Sequence, residues 1–297
     1  MLQKTRIGWM TAASVLIAVT VLPGCQSRGA IPPNGLTAIL RSIPIAAAPG
    51  PIHLRSGDPS EARRLSGGSA PPETIPKIAK QRVADGWIPE QIEAWLEVTP
   101  SGTAPFVVLI GDFDSKSVKS SLESRDYQST KVELTEIFNR SDTTAAIGVA
   151  PGRLVYGSLE TVERIGAFRG GNGSLLDVAG LRDVAVATGR SGVAAVFEPA
   201  SGCPRASWIA AASRFENAVA DTSLVWYYPD AEAATRAARE LRTQLPSRLP
   251  SGVTLRLSDP RNRQAVQVLE TPREKADAVI EITRPGGPFE GLPECPK

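Results

Sequence analysis

Short apolar runs set in pairs about tight turns constrain this chain more than any other feature of it. Ala145–Ala150 and Leu154–Tyr156 flank Pro151-Gly152, Val253–Leu257 and Ala265–Leu269 flank Asp259-Pro260, and Ile209–Val219 and Leu224–Tyr228 stand about Asp221. Strands joined this closely are antiparallel, because a parallel partner needs a crossover of roughly a dozen residues or more. Phe106–Ile110 and Val193–Phe197 read as further buried strands, and Lys131–Phe138 alternates Val132, Leu134, Glu136 and Phe138 on one face. Single helices separate these groups: Ser115–Ser124 with Val118 and Leu122 inward, Thr161–Phe168, Ser174–Ala187, and Ala231–Leu245 between a capping Asp230 and Pro246. Pro89 is placed to open a helix with Ile92, Trp95 and Leu96 on one face, and Thr271-Pro272-Arg273-Glu274 is a capping box that predicts helix over Arg273–Ile282. Val184-Ala185-Val186 and Val279–Ile282 read equally as strand within their expected helices. Hairpins separated by single helices point to the α+β class, with antiparallel sheets built from hairpins and helices packed on one face. Leu154-Val155-Tyr156 and Leu224-Val225-Trp226-Tyr227-Tyr228 each lead into a helix. Two similar units, 86–190 and 191–297, are therefore expected, parted near Arg190-Ser191-Gly192.

Before the first unit the chain is punctuated by Ile31-Pro32-Pro33, Ala48-Pro49-Gly50-Pro51, Ser66-Gly67-Gly68-Ser69 and Pro71-Pro72. Such a stretch breaks helices and withholds ladder donors, so 25–85 reads as a tether. Leu36, Ile39, Leu40 and Ile43 have helical spacing and predict one short helix within it.

The N-terminus carries Lys4 and Arg6, then an uncharged run from Ile7 to Leu22, then Leu22-Pro23-Gly24-Cys25. The run is shorter than the roughly 20 residues that span a bilayer, which favours a signal peptide over a permanent helix. With aliphatic Leu22, small Gly24 and then Cys25, the segment resembles the lipobox of bacterial prolipoproteins. Pro23 departs from the usual small or aliphatic residue there. The resemblance covers the first 25 residues and implies that 1–24 is removed and Cys25 becomes a diacylglyceryl cysteine at the mature N-terminus. Two or more acyl chains anchor stably where one is marginal. The implied location is the cell membrane or outer membrane, facing the periplasm or the exterior, and Gln26 resembles the residue of outer-membrane lipoproteins.

The chain has 33 basic and 31 acidic residues, and loss of Lys4 and Arg6 with the signal brings the two into balance. That balance removes the electrostatic case for a nucleic-acid partner. Hydrophobic residues make up 42% of the chain, enough for a core. Once Cys25 is acylated, Cys203 and Cys295 remain in a compartment that permits disulfides, and a bond between them would pin the C-terminal tail to a mid-chain loop. Free thiols or an intermolecular pair are the alternatives.

Few residues point to chemistry, and no cofactor is indicated. His53 is the only histidine and falls in the expected tether as a solvated residue, which leaves the folded units without a histidine-based catalytic pair. Asp112-Phe113-Asp114, just past the buried strand, resembles the start of haloacid-dehalogenase-type phosphatases, where one aspartate is nucleophile and the other acid or base. Gly111 and Lys116 depart from that family's pattern. Alternate carboxylates also suit one Mg²⁺ ion, while the plainer reading has Asp114 capping the next helix. Trp226 and Tyr228 share a strand face and form a possible binding platform, or else a core face. The leading expectation is a lipid-anchored envelope protein whose body binds a partner protein or wall component. An exported metal-dependent hydrolase using Asp112 and Asp114 is the alternative.

Overall fold

The computed structural model describes residues 35–66, 74–189, 191–200, 205–216 and 219–294. The chain begins with α1 (Gly35–Arg41), β1 (Ile52–Gly57), α2 (Pro59–Ser66) and α3 (Lys77–Gln81). Then follow β2 (Ile92–Pro100), β3 (Phe106–Gly111), α4 (Ser115–Glu123), β4 (Gln128–Val132), β5 (Thr135–Asn139), β6 (Ala145–Ala150) and β7 (Arg153–Ser158). α5 (Leu159–Ala167) and α6 (Leu181–Ala187) lead to β8 (Val193–Phe197), β9 (Trp208–Glu216) and β10 (Val219–Tyr227). α7 (Ala231–Gln244), β11 (Thr254–Arg261), β12 (Gln264–Pro272) and α8 (Ala276–Ile282) complete the course.

All twelve described strands join one sheet in the order β11-β12-β10-β9-β8-β1-β2-β3-β7-β6-β5-β4. Every neighbouring pair is antiparallel. This corrects the expected fold in two respects. There are not several sheets in two units but one continuous sheet, and residues 33–297 form a single unit by their contacts. Nor are the helices confined to one face. Leu54, Leu96, Val108, Val155 and Val196 pack beneath α1, α5 and α6. On the opposite face Phe197, Ile209, Leu224 and Trp226 meet α7 and α8, and Trp95, Leu109 and Leu154 meet α4. A sheet covered on both sides needs apolar residues at both parities, so its strands read as continuous apolar runs.

The tether is also corrected, because β1 lies in the middle of the sheet between β8 and β2. Ile52 and Leu54 enter the core together with Leu36, Ile39, Leu40 and Ile43 of and after α1. The prolines around β1 stand at Pro44, Pro49, Pro51 and Pro59, outside its ladder, where no donor is lost.

The segment after Pro89 is a single 3₁₀ turn, Pro89–Gln91, and then strand β2 rather than helix. A β-bulge between Ile92 and Ala94 puts Ile92 and Trp95 on one face and Ala94, Leu96 and Val98 on the other. The bulge reproduces the i, i+3 spacing of a helix within a strand. Lys131–Phe138 is a hairpin, not one strand. Glu133 turns it at φ 53°, and Leu134 stands 82% exposed.

Candidate functional site

A cavity of about 690 Å³ opens where four separate segments meet: the end of α1, the β4–β5 turn, the first residue of β7, and the chain leaving α5. Its volume falls within the ~300–1,000 Å³ usual for small-molecule sites. Arg41, Leu134, Thr135, Arg153, Phe168 and Arg169 give it its chemical character. The wall is fixed by backbone contacts. Ile45 N donates to Gly173 O at 2.8 Å and Leu175 N to Ile43 O at 2.8 Å, pinning the connection after α5 to the segment after α1. Arg164 of α5 donates to Ala46 O at 2.6 Å and reinforces the join.

Arg153 begins β7 and points into the cavity's floor. Its Nη2 donates to Thr135 Oγ1 at 3.4 Å, a long contact. Burial, the sole cause acting on it, holds its guanidinium below the ordinary arginine value. No described carboxylate lies near enough to offset that desolvation. Arg169 is different, since its Nη2 meets Glu133 Oε2 at 2.6 Å across the mouth. Arg41 is exposed at the rim. With Glu133 counted, the lining carries three guanidinium groups against one carboxylate.

A second cavity of about 450 Å³ lies under Arg82, Phe106, Tyr127 and Tyr156. Tyr156 and Arg82 are engaged there with each other and with neighbours behind the wall. Trp87 Nε1 donates to Tyr156 Oη at 2.7 Å, Arg82 lies 5.6 Å over the Tyr156 ring, and Arg125 pairs with the buried Asp85 at 2.6 Å. Burial first, then Asp85, raises the Tyr156 phenol well above its usual value, so it stays protonated.

The residues singled out from the sequence lie elsewhere. Asp114 caps α4, its carboxylate accepting from Lys116 N at 3.1 Å. Asp112 is exposed, and its backbone N–H is held by Gln91 O at 3.1 Å. Among the described residues no group of three or more His, Cys, Asp or Glu could hold a metal ion. Trp226 and Tyr228 are fully buried beneath α7 and the tail, with the Trp226 ring 6.4 Å from Phe289, so they form core and not an accessible platform. Cys25, Cys203 and Cys295 lie outside the described residues.

His53 is no solvated linker residue. It sits on β1, with the Phe197 ring edge-on at 6.4 Å, and its Nε2 is buried without a hydrogen-bond partner among the described residues. Burial, then Arg55 and Arg284, lowers its pKa, so it is held neutral. The Arg55 guanidinium is in turn paired with Asp277 at 2.7 Å and with Glu281 of α8.

The cavity's own residues gave little signal in the sequence. Arg41, Arg153 and Phe168 are far apart along the chain, and no spacing rule joins them. Leu134 was hidden by the alternation that read Lys131–Phe138 as one strand, because Glu133-Leu134 contains none of the usual turn residues. Among the described residues no helix is long and apolar enough to cross a membrane.

No protein-family model and no curated protein matches the chain. Solved structures similar to it include TP0453 in crystal forms III, I and IV, each at 11% sequence identity over 80% of this chain. The TM-scores are 0.45, 0.42 and 0.44, and the matches cover 97%, 96% and 96% of those chains.

Proposed function

We propose that this protein is a lipid-anchored component of the cell envelope that binds a small ligand in the arginine-lined cavity and performs no catalysis on it. The observation that carries the binding role is Arg153, a half-buried guanidinium lining a cavity of about 690 Å³, with no carboxylate partner among the described residues. A cation drawn partly out of water is disfavoured unless something answers its charge, and a ligand does so while bound. The anchor rests on Leu22-Pro23-Gly24-Cys25 behind its basic and apolar leader. On this reading the body faces the periplasm or the exterior, and its partner is a component of the envelope.

A Cys203–Cys295 disulfide belongs to the same proposal. Ala200 N donates to Glu290 Oε1 at 2.7 Å, which brings the chain shortly before Cys203 beside the chain shortly before Cys295. Non-reducing peptide mapping of the exported protein is expected to give one linked peptide, and two alkylatable thiols would remove the bond from the account. Native mass spectrometry of the full chain purified from its own membranes tests the binding role. One non-covalent small-molecule adduct is expected, and adduct-free protein from freshly extracted membranes would contradict it. In the same preparations, Cys25→Ser is expected to lose palmitate incorporation and leave the membrane fraction. Retention of both would end the anchoring proposal.

A further inference from the structure

We infer that the cavity takes a ligand with a single anionic group, a carboxylate or a phosphate monoester, joined to a compact apolar body. This rests on the reading of the cavity as a binding site and adds the chemistry of its occupant.

Two independent features lead to it. The first is the charge. Arg153 presents a planar fork of donors suited to bidentate recognition of carboxylate or phosphate, and its one hydrogen bond is the 3.4 Å contact to Thr135. Arg41 adds a second cation at the rim, whereas Arg169 is already answered by Glu133 at 2.6 Å. Two unanswered guanidinium groups suit one anion, and Glu133 at the mouth disfavours a ligand with a second negative group there.

The second feature is the apolar half. Leu134 is 82% exposed, the most exposed large apolar side chain described. It is held at the cavity mouth by a backbone turn in which Glu133 adopts φ 53°, a conformation uncommon for a residue with a side chain. Phe168 and Ala38 line the same space. An isolated exposed leucine needs no explanation, but one at the lip of a cavity whose floor holds an unpaired cation is placed to cover the apolar part of whatever the cation binds. A purely ionic ligand would leave Leu134 and Phe168 in water, and a neutral apolar one would leave Arg153 unanswered.

Titration calorimetry of the full chain in a non-ionic detergent, with three soluble probes, tests the inference. The probes are 4-phenylbutyrate, 3-phenylpropyl phosphate and the neutral 4-phenylbutyramide. At least one acid is expected to bind with one-to-one stoichiometry about tenfold or more tighter than the amide, and the tighter acid assigns the anion as carboxylate or phosphate. Arg153→Met should bring the acids to the level of the amide, while Arg256→Gln on distant β11 should leave all three unchanged. If Arg153→Met does not fold, Leu134→Ser at the exposed lip carries the test, with acid binding expected to weaken roughly tenfold. Equal binding of acids and amide, or acid binding indifferent to both Arg153→Met and Leu134→Ser, overturns the inference while leaving a binding site in place. Failure of all three probes to bind also overturns it. The broader binding role falls separately, on the absence of an adduct from the native protein.

Discussion

His53 shows how one side chain reports on its place in the fold. In the centre of the sheet its imidazole is neutral, with burial the larger cause and the charges of Arg55 and Arg284 acting in the same direction. Asp277 and Glu281 hold Arg55 but do not reach the imidazole as partners of its buried Nε2. The folded pKa therefore lies below the unfolded value of about 6.5. The unfolded chain binds the proton first as the pH falls, so the native state is fully favoured above about 6.5 and loses stability on descent from there through the lower folded pKa. Urea midpoints between pH 8 and pH 5.5 should fall for the wild type and fall less for His53→Gln, and parallel curves would remove the histidine as their cause. Asp114, by contrast, spends its carboxylate on the first turn of α4. Asp114→Ala should cost about 1 kcal/mol of stability, readable as a shift in the same midpoint. The helix cap was legible in the sequence. The burial of His53 was not, because neighbouring prolines disguised the strand that carries it.

Individual elements differ in how openly the sequence declares them. The pairings of β6 with β7, β9 with β10 and β11 with β12 were readable from paired apolar runs, and Pro151-Gly152 does turn the first. The other two expected turns were misplaced: Asp221 lies inside β10 opposite Arg214, and Asp259-Pro260 lies inside β11 opposite Val266 and Ala265, with Asn262 at φ 54° just beyond. β1 was not readable, because its partners β2 and β8 are set by long-range pairing that no local pattern records. If β1 is the centre of the sheet, Leu54→Ala should remove about 3 kcal/mol of stability, as for other leucines in full cores. A loss below about 0.5 kcal/mol would return the segment to the tether. Gly180 marks a second concealed boundary. It holds φ 79°, and a Cβ there would lie 2.6 Å from the Tyr227 ring, so the chain breaks before α6 instead of continuing from Ser174. Gly180→Ala is expected to cost roughly 1–3 kcal/mol, measured by thermal unfolding, with an unchanged midpoint as the contrary result.

At the scale of the whole molecule, the sheet reads outward from β1 as β1-β2-β3-β7-β6 and from β8 as β8-β9-β10-β12-β11, matching orders to which the β1 side adds β5 and β4. The two sides are not separable units, because the β1–β8 ladder and the helices α1 and α6 lying together over it make the core continuous. Far- and near-ultraviolet circular dichroism should accordingly lose signal in one coincident denaturant transition, whereas two resolved steps would mean that the halves unfold apart. The cavity is a product of this scale. Arg41, Leu134, Arg153 and Phe168 come together only when α1, the β4–β5 hairpin, β7 and α5 are all in place, so the sequence could offer candidates such as Asp112 and Trp226 but not this group. A ligand that recognises it requires the folded whole. The most direct test is a crystal structure of the protein soaked in turn with an ω-bromoalkanoate and an ω-bromoalkyl phosphate, the bromine located by its anomalous signal. The expected result is at least one of the two with its anionic group against the Arg153 guanidinium and its bromine toward Leu134 and Phe168. A cavity left empty by both probes at saturation, or bromine bound elsewhere with both, would contradict it.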